Sequence, residues 1–383
     1  MSDAEFRSVV AGLAPGPVDA RPPRPALASV AVLGAGPVGL AMACEALAEG
    51  LDVRIWSPVA AEVPASVTVR GAHMVGTYRF GPSNTGPSNA GPAVTMAGGV
   101  DAAIAGAEVV VVATPSLHHG AVAGLLAPYL RADHTVILVP GRCFGAVEFR
   151  RELRRCGVEA MPTLAELASP PYLASVPSPG RLDIHARLAS VAATAGAARL
   201  ADVWPMIRAA GSVLDSSFAD VLGVLNVAPV VLNAGVAEGG TALRSTLLTP
   251  TVAAVCEALD GERRRVAFAY GVRDIPSATD IIAAAHGVDS GPQLHAVWHS
   301  IPAFDDLTLP GVSLRRLLGD DVACSLVPLA SAGAAAGIAT PSIDAMIATA
   351  RLLTGVDYAA LGRSFGTLGL AGMSPDEVRR ACA

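Results

Sequence analysis

Apolar positions change their period partway along the chain. From Val30 to Val139, short β-branched runs (Val30–Leu33, Val53–Trp56, Val67–Val69, Val109–Ala113 and Thr135–Val139) alternate with Ala- and Leu-rich stretches such as Leu40–Ala48. That alternation predicts βαβ units and a parallel sheet. From about Ala201 the β-branched runs thin out and helix-length segments take over: Ala219–Ala237, Thr249–Tyr270, Thr279–His286, Ser325–Ala336 and Ile343–Leu353. The expected fold is therefore a doubly wound α/β domain with a parallel sheet, followed by an all-α C-terminal domain. Residues 1–27, rich in Pro and without sustained periodicity, read as a loose arm, 28–195 as the α/β domain and 196–383 as the helical domain. The boundary is expected between Leu182 and Trp204. A tandem repeat of turn formers, Gly81-Pro82-Ser83-Asn84-Thr85-Gly86-Pro87-Ser88-Asn89, predicts a loop, either a surface insertion or a flap over a ligand.

The first β-branched run leads directly into Gly34-Ala35-Gly36-Pro37-Val38-Gly39 and then into a helix. A strand, this glycine spacing, a helix and a second strand about twenty residues on form the dinucleotide-binding pattern of a Rossmann domain. The first glycine permits the tight turn, the second lets backbone approach a pyrophosphate, and the third lets helix pack on strand. Phosphate would sit at the helix N-terminus, where free N–H groups and the dipole favour an anion. The second strand ends at Ser57, where an NAD-binding chain carries a carboxylate for the ribose 2′-hydroxyl. Ser57 leaves room for a 2′-phosphate, which favours NADP and leaves NAD open, with Arg54 or Arg70 as phosphate partners or as ordinary strand-end charges. Thr114-Pro115-Ser116-Leu117-His118-His119 and Pro140-Gly141 follow the fourth and fifth strands, at the carboxyl edge where such sheets place ligands. Thr114, Pro115 and Gly141 are thus candidate cofactor contacts, and His119 a candidate for lining the reaction site.

Composition narrows the function class. The formal net charge of −6 over 383 residues argues against nucleic-acid or anionic-membrane partners and favours a small-molecule substrate. Pro328, Pro341 and Asp344 interrupt the most apolar stretch, and Asp3, Glu5 and Arg7 do not fit a secretory signal, so the expected location is the cytoplasm. The six cysteines show no disulfide frame or zinc spacing, and no metal site is expected. The chain has no lysine, which excludes Schiff-base catalysis and a Walker-type phosphate loop. A homodimer is left open.

Several separate stretches resemble one family. They are Gly34–Gly39; Val139-Pro140-Gly141-Arg142 with Gly145; Glu166 through Pro171-Tyr172; and Pro229 with Leu232-Asn233-Ala234-Gly235. Further on come Asp260-Gly261-Glu262-Arg263, Arg316 with Asp320-Asp321-Val322, Leu326-Val327-Pro328, and Thr340-Pro341 with Asp344. In order and spacing, from about residue 28 to 355, they resemble the opine dehydrogenases, which include octopine and nopaline dehydrogenases. The resemblance implies a Rossmann domain, a helical domain completing the site, and hydride reduction of an imine made from an amino acid and a keto acid. It also implies that Arg316 holds a substrate carboxylate and that Asp321 pairs with a catalytic histidine.

That histidine is missing. Matching the family's following proline to Pro229 puts its place at Ala228, whereas matching Asn233-Ala234-Gly235 puts it at Asn226. Ser175 similarly stands where the family tends to carry an arginine. Condensation needs a positioned acid or base, worth about 10²-fold to 10⁴-fold, whereas reduction of a preformed iminium chiefly needs hydride, proximity and a negative charge. The expected activity is thus NADP-dependent reduction of a preformed or cyclic imine bearing a carboxylate, with Asp321, Arg316 and His119 at the site. His295, His299 and Glu238 are substitute acids to check. The alternative is a dinucleotide-binding protein without net redox: a cyclase, an isomerase or a binding protein.

Overall fold

The structure is a computed structural model that describes residues 27–58, 63–82, 92–209, 211–240 and 242–382. The Pro-rich arm up to Pro25, and the tandem repeat beyond Pro82, lie outside the described residues. Ten strands form one sheet: β1 (Ser29–Leu33), β2 (Asp52–Trp56), β3 (Ser66–Gly71), β4 (Gly76–Pro82), β5 (Val94–Met96), β6 (Val109–Val112), β7 (Thr135–Leu138), β8 (Thr163–Glu166), β9 (Tyr172–Ser178) and β10 (Arg181–Arg187). Their order is β8-β7-β6-β1-β2-β5-β4-β3-β10-β9. Neighbours run parallel except the pairs β3–β4 and β9–β10.

All five strands expected from the pattern are present. Those at the sheet's centre are buried on both faces, which is why they read as unbroken β-branched runs. Val30 and Val32 of β1 join a core on one face with the helix Pro37–Ala48, while Ala31 and Leu33 join a core on the other with the helices Val100–Ile104, His119–Leu126 and Gly145–Arg155. The pattern did not reveal β4, β5, β8, β9 and β10. In β10, Leu182 and Ile184 are buried between charged or half-buried neighbours, so only every second residue carries an apolar signal.

Beyond a two-stranded ribbon (Val191–Ala193 with Ile207–Ala209), the chain is helical with a separate hydrophobic core. The segment expected as one helix, Ala219–Ala237, belongs instead to three: Val213–Ala219, Leu222–Leu232 and Ala234–Ala237. Asp220 causes the first break, its Oδ1 accepting from Leu222 N at 2.9 Å. Two apolar helical stretches, Val213–Leu232 and Leu314–Ala336, are long enough to cross a membrane, but they are 78% and 72% buried within this core.

The second stretch carries a π-helical turn at Val322–Leu326, directly after Asp321, between the helices Leu314–Asp321 and Val327–Ala336. Pro328 has no N–H to give to the Cys324 carbonyl four residues back. That carbonyl instead accepts from Cys143 N at 3.0 Å, which ties the helical domain to the loop after β7.

Candidate active site

At the carboxyl end of β1 the three glycines are constrained differently. Gly34 has φ +114°, and a Cβ there would lie 2.6 Å from Ala113 O; at Gly39 it would lie 2.0 Å from Gly34 O. At Gly36 it would meet nothing within 4 Å. The loop is thus closed against the sheet and open at Gly36, in front of the helix N-terminus, as a pyrophosphate requires. Ser57 and Thr114 are buried beside it, and Thr114 Oγ1 has no hydrogen-bond partner among the described residues. These features fit a dinucleotide held by Gly34, Gly36, Pro37, Val38 and Gly39, with Ser57, Thr114 and Pro115 at the edge. Gly36→Ala should therefore leave the melting temperature within about 1 °C of wild type while weakening NADPH binding at least about tenfold, as read by NADPH fluorescence titration.

Two sequence expectations change here. Arg54 donates to the carbonyls of Ala102 and Ala105 and pairs with Asp52, so it serves the end of the helix Val100–Ile104 rather than a phosphate. A Cβ at Gly141 would sit 2.3 Å from Glu166 Cβ, so packing against that carboxylate side chain already requires glycine at that position.

The helical domain grips the same sheet edge. Asp320 accepts from Ser116 N at 2.8 Å and from Leu117 N at 3.1 Å, capping the short helix that follows β6. Arg363 is only 3% exposed and reaches five acceptors: Glu148 Oε2 at 2.7 Å, the carbonyls of Gly141, Cys143 and Ser116 at 2.7, 3.2 and 2.9 Å, and His119 Nδ1 at 3.2 Å. His119, expected to line the site, is instead fully buried in this junction. Burial and the adjacent guanidinium hold it well below the usual histidine range, so it is neutral and acts as an acceptor.

From the loop after β7, Arg142 (φ +62°) extends into the helical domain. Its guanidinium lies 2.7 Å from Asp321 Oδ1 and 3.7 Å from Asp220 Oδ1. A non-glycine residue held in left-handed backbone, at a cost of order 1 kcal/mol, marks a position the surroundings over-determine. The other Asp321 oxygen, Oδ2, accepts from Asn226 Nδ2 at 3.2 Å, and Asn226 Oδ1 accepts from Arg244 Nη2 at 2.6 Å. Burial, outweighing the pull of Arg142, pushes Asp321 up to about 6.

This Asp321–Asn226–Arg244 string forms the polar wall of a cavity of about 170 Å³. The remaining wall is apolar and includes Leu225, Val230, Leu247, Trp298, Leu309 and Leu317.

Asn226, not Ala228, therefore faces Asp321; Ala228 is fully buried in the core. Arg316 is exposed on the helix Leu314–Asp321 and is absent from the cavity wall. Glu238 is exposed, and the rings of His295 and His299 lie tilted against each other, centroids 4.4 Å apart, outside the wall to which Trp298 of their helix contributes. Ser175 hydrogen-bonds His185 at 2.8 Å. Sequence reasoning missed Arg142, Asp220, Arg244, Asp320 and Arg363. Arg142 and Asp320 stood within the matched stretches, but nothing in their spacing announced contacts across the domain junction.

Fold and site together define a two-domain, dinucleotide-dependent dehydrogenase. Residues 209–354 match the family model described as NAD/NADP octopine/nopaline dehydrogenase, alpha-helical domain. The chain is 30% identical over 361 residues to an opine dehydrogenase of Arthrobacter sp. (strain 1C), covering 92% of this chain and 98% of that one. Its fold is similar to that of octopine dehydrogenase in complex with NADH and agmatine, with a TM-score of 0.72 at 16% identity over 93% of this chain and 98% of that one. It is also similar to NADP+-bound yersinopine dehydrogenase, with a TM-score of 0.60 at 14% identity over 93% and 97%. The chain belongs to the opine dehydrogenase family. It is an NAD(P)-dependent oxidoreductase of that type.

Proposed function

We propose that this chain uses NADPH to reduce the C=N bond of a preformed or cyclic imine that bears a carboxylate. The observation that carries the reading is Asn226 standing on Asp321: an amide donates and accepts hydrogen bonds but does not titrate, so the residue at 226 cannot relay the proton that condensation requires. A protonated imine needs no such relay. Bound NADPH supplies the hydride; Asp321, fixed by Arg142 and Asn226, offers the negative charge that stabilises an iminium. Arg316 is proposed to steer a substrate carboxylate from its exposed position. The preference for NADPH rests on Ser57 at the end of β2, and comparing Kd values for NADPH and NADH tests it.

Mixing the NADPH complex with a cyclic imine carboxylate and following reduced nicotinamide absorbance tests the activity. Tight NADPH binding without consumption across a panel of imines would favour the non-redox reading, which the lack of a titrating group at Asn226 equally supports.

The pH dependence follows from Asp321. An acid raised to about 6 is charged only above that pH, so kcat/KM for a preformed imine should rise about tenfold per pH unit below 6 and level off above it. A profile flat from about pH 5 to about pH 7 would remove Asp321 from the role of charge stabiliser.

A further inference from the structure

Arg244 is the component of the cavity that the proton and hydride chemistry leaves unexplained. Among the described residues its guanidinium makes one hydrogen bond, to Asn226, and its Nε is shielded from solvent without a partner. Trp298 and Phe304 lie against it, at 5.1 and 5.0 Å from the guanidinium carbon to the ring centroids, and Trp298 Nε1 donates to the Arg244 carbonyl at 3.3 Å. Among the described residues no carboxylate pairs with it directly; Asp321, across the Asn226 amide, is already paired with Arg142. A half-buried cation without a paired anion still carries a desolvation cost, and the aromatic faces offset only part of it. A guanidinium oriented by two rings and an amide, with free donors at the polar wall of a cavity otherwise lined by apolar side chains apart from Asn226 and Asp321, is arranged to receive a carboxylate.

We infer that Arg244 binds a carboxylate on the substrate arm that enters this cavity, and that the rest of the arm is uncharged. This rests on the reading of the cavity as the substrate pocket and narrows the substrate class. The apolar wall accepts an aliphatic or aromatic body. An arm ending in a guanidinium or ammonium group would place a second cation beside Arg244, where the one carboxylate of the wall, Asp321, is already held by Arg142 and faces the iminium, and is disfavoured.

Binding tests this without any turnover. Isothermal titration calorimetry on the NADPH complex would compare three probes of one shape: 4-methylpentanoate, 4-methylpentanamide and isopentylguanidine. The expected order is the carboxylate tighter than the amide by at least about tenfold, and no detectable binding of the guanidine. In Arg244→Met the carboxylate and amide should bind equally, whereas Arg244→Lys should keep part of the preference. Equal binding of carboxylate and amide to the wild-type protein would overturn the inference, and because it involves no variant, misfolding cannot account for it. Carboxylate selectivity in a protein that consumes no NADPH with any imine would uphold Arg244 while sinking the proposed reaction.

Discussion

Asn226→His is expected to convert this chain into a condensing opine dehydrogenase. A histidine at 226 would start from a backbone position that already brings Nδ2 of the native side chain to 3.2 Å from Asp321 Oδ2. An imidazole there would have the carboxylate that orients and charges it, restoring a group able to move a proton near neutral pH. NADPH oxidation with pyruvate plus an amino acid should rise by about 10²-fold or more over the native chain, with a new limb in the pH–rate profile near the histidine range. Reduction of a preformed imine should change far less. A rise in both activities alike would show that Asn226 matters through packing rather than through its inability to titrate. Ala228→His offers the contrast: that position is in the helical core, so the same side chain should destabilise the fold and yield no condensation.

Arg363→Met should produce a large loss of stability. The variant strands three buried carbonyls, His119 Nδ1 and the Glu148 carboxylate, and leaving such groups unpaired costs about 3–5 kcal/mol. The urea midpoint should fall accordingly. Arg363→Lys should recover little, because one ammonium cannot reproduce a planar fork spanning acceptors from two loops. A loss below about 1 kcal/mol would mean that water replaces the guanidinium at the junction.

Much of this architecture was legible in the residues, for identifiable reasons. Strands buried on both faces spell themselves out as runs such as Val109–Val112, and the glycine loop is constrained by contacts of its own backbone. Strands such as β10, half of whose residues face away from the core, were not legible, because the apolar signal is diluted. At the site, Asp321 was readable from its matched stretch and occupies the cavity wall, and Asn226 was one of two alternatives that the structure decides. Arg244 was invisible. Its significance comes from Trp298 and Phe304, more than fifty residues away, and from the absence of a paired acid, neither of which a local pattern records. His119 misled for the converse reason: the carboxyl edge of a sheet normally faces ligand, but here Arg363 from the far end of the chain closes over it.

The Arg363 clamp makes the two halves of the molecule thermodynamic partners. Any free energy gained by a dinucleotide at the Thr114 and Gly141 loops is shared with the segment that fastens them, because opening that segment would first have to release the loops. Amide hydrogens from Gly362 to Leu370 should therefore exchange more slowly once NADPH is bound, although the glycine loop lies more than three hundred residues earlier in the sequence. Protection of that distant segment would report occupancy of the nucleotide cleft, independently of any chemistry performed there.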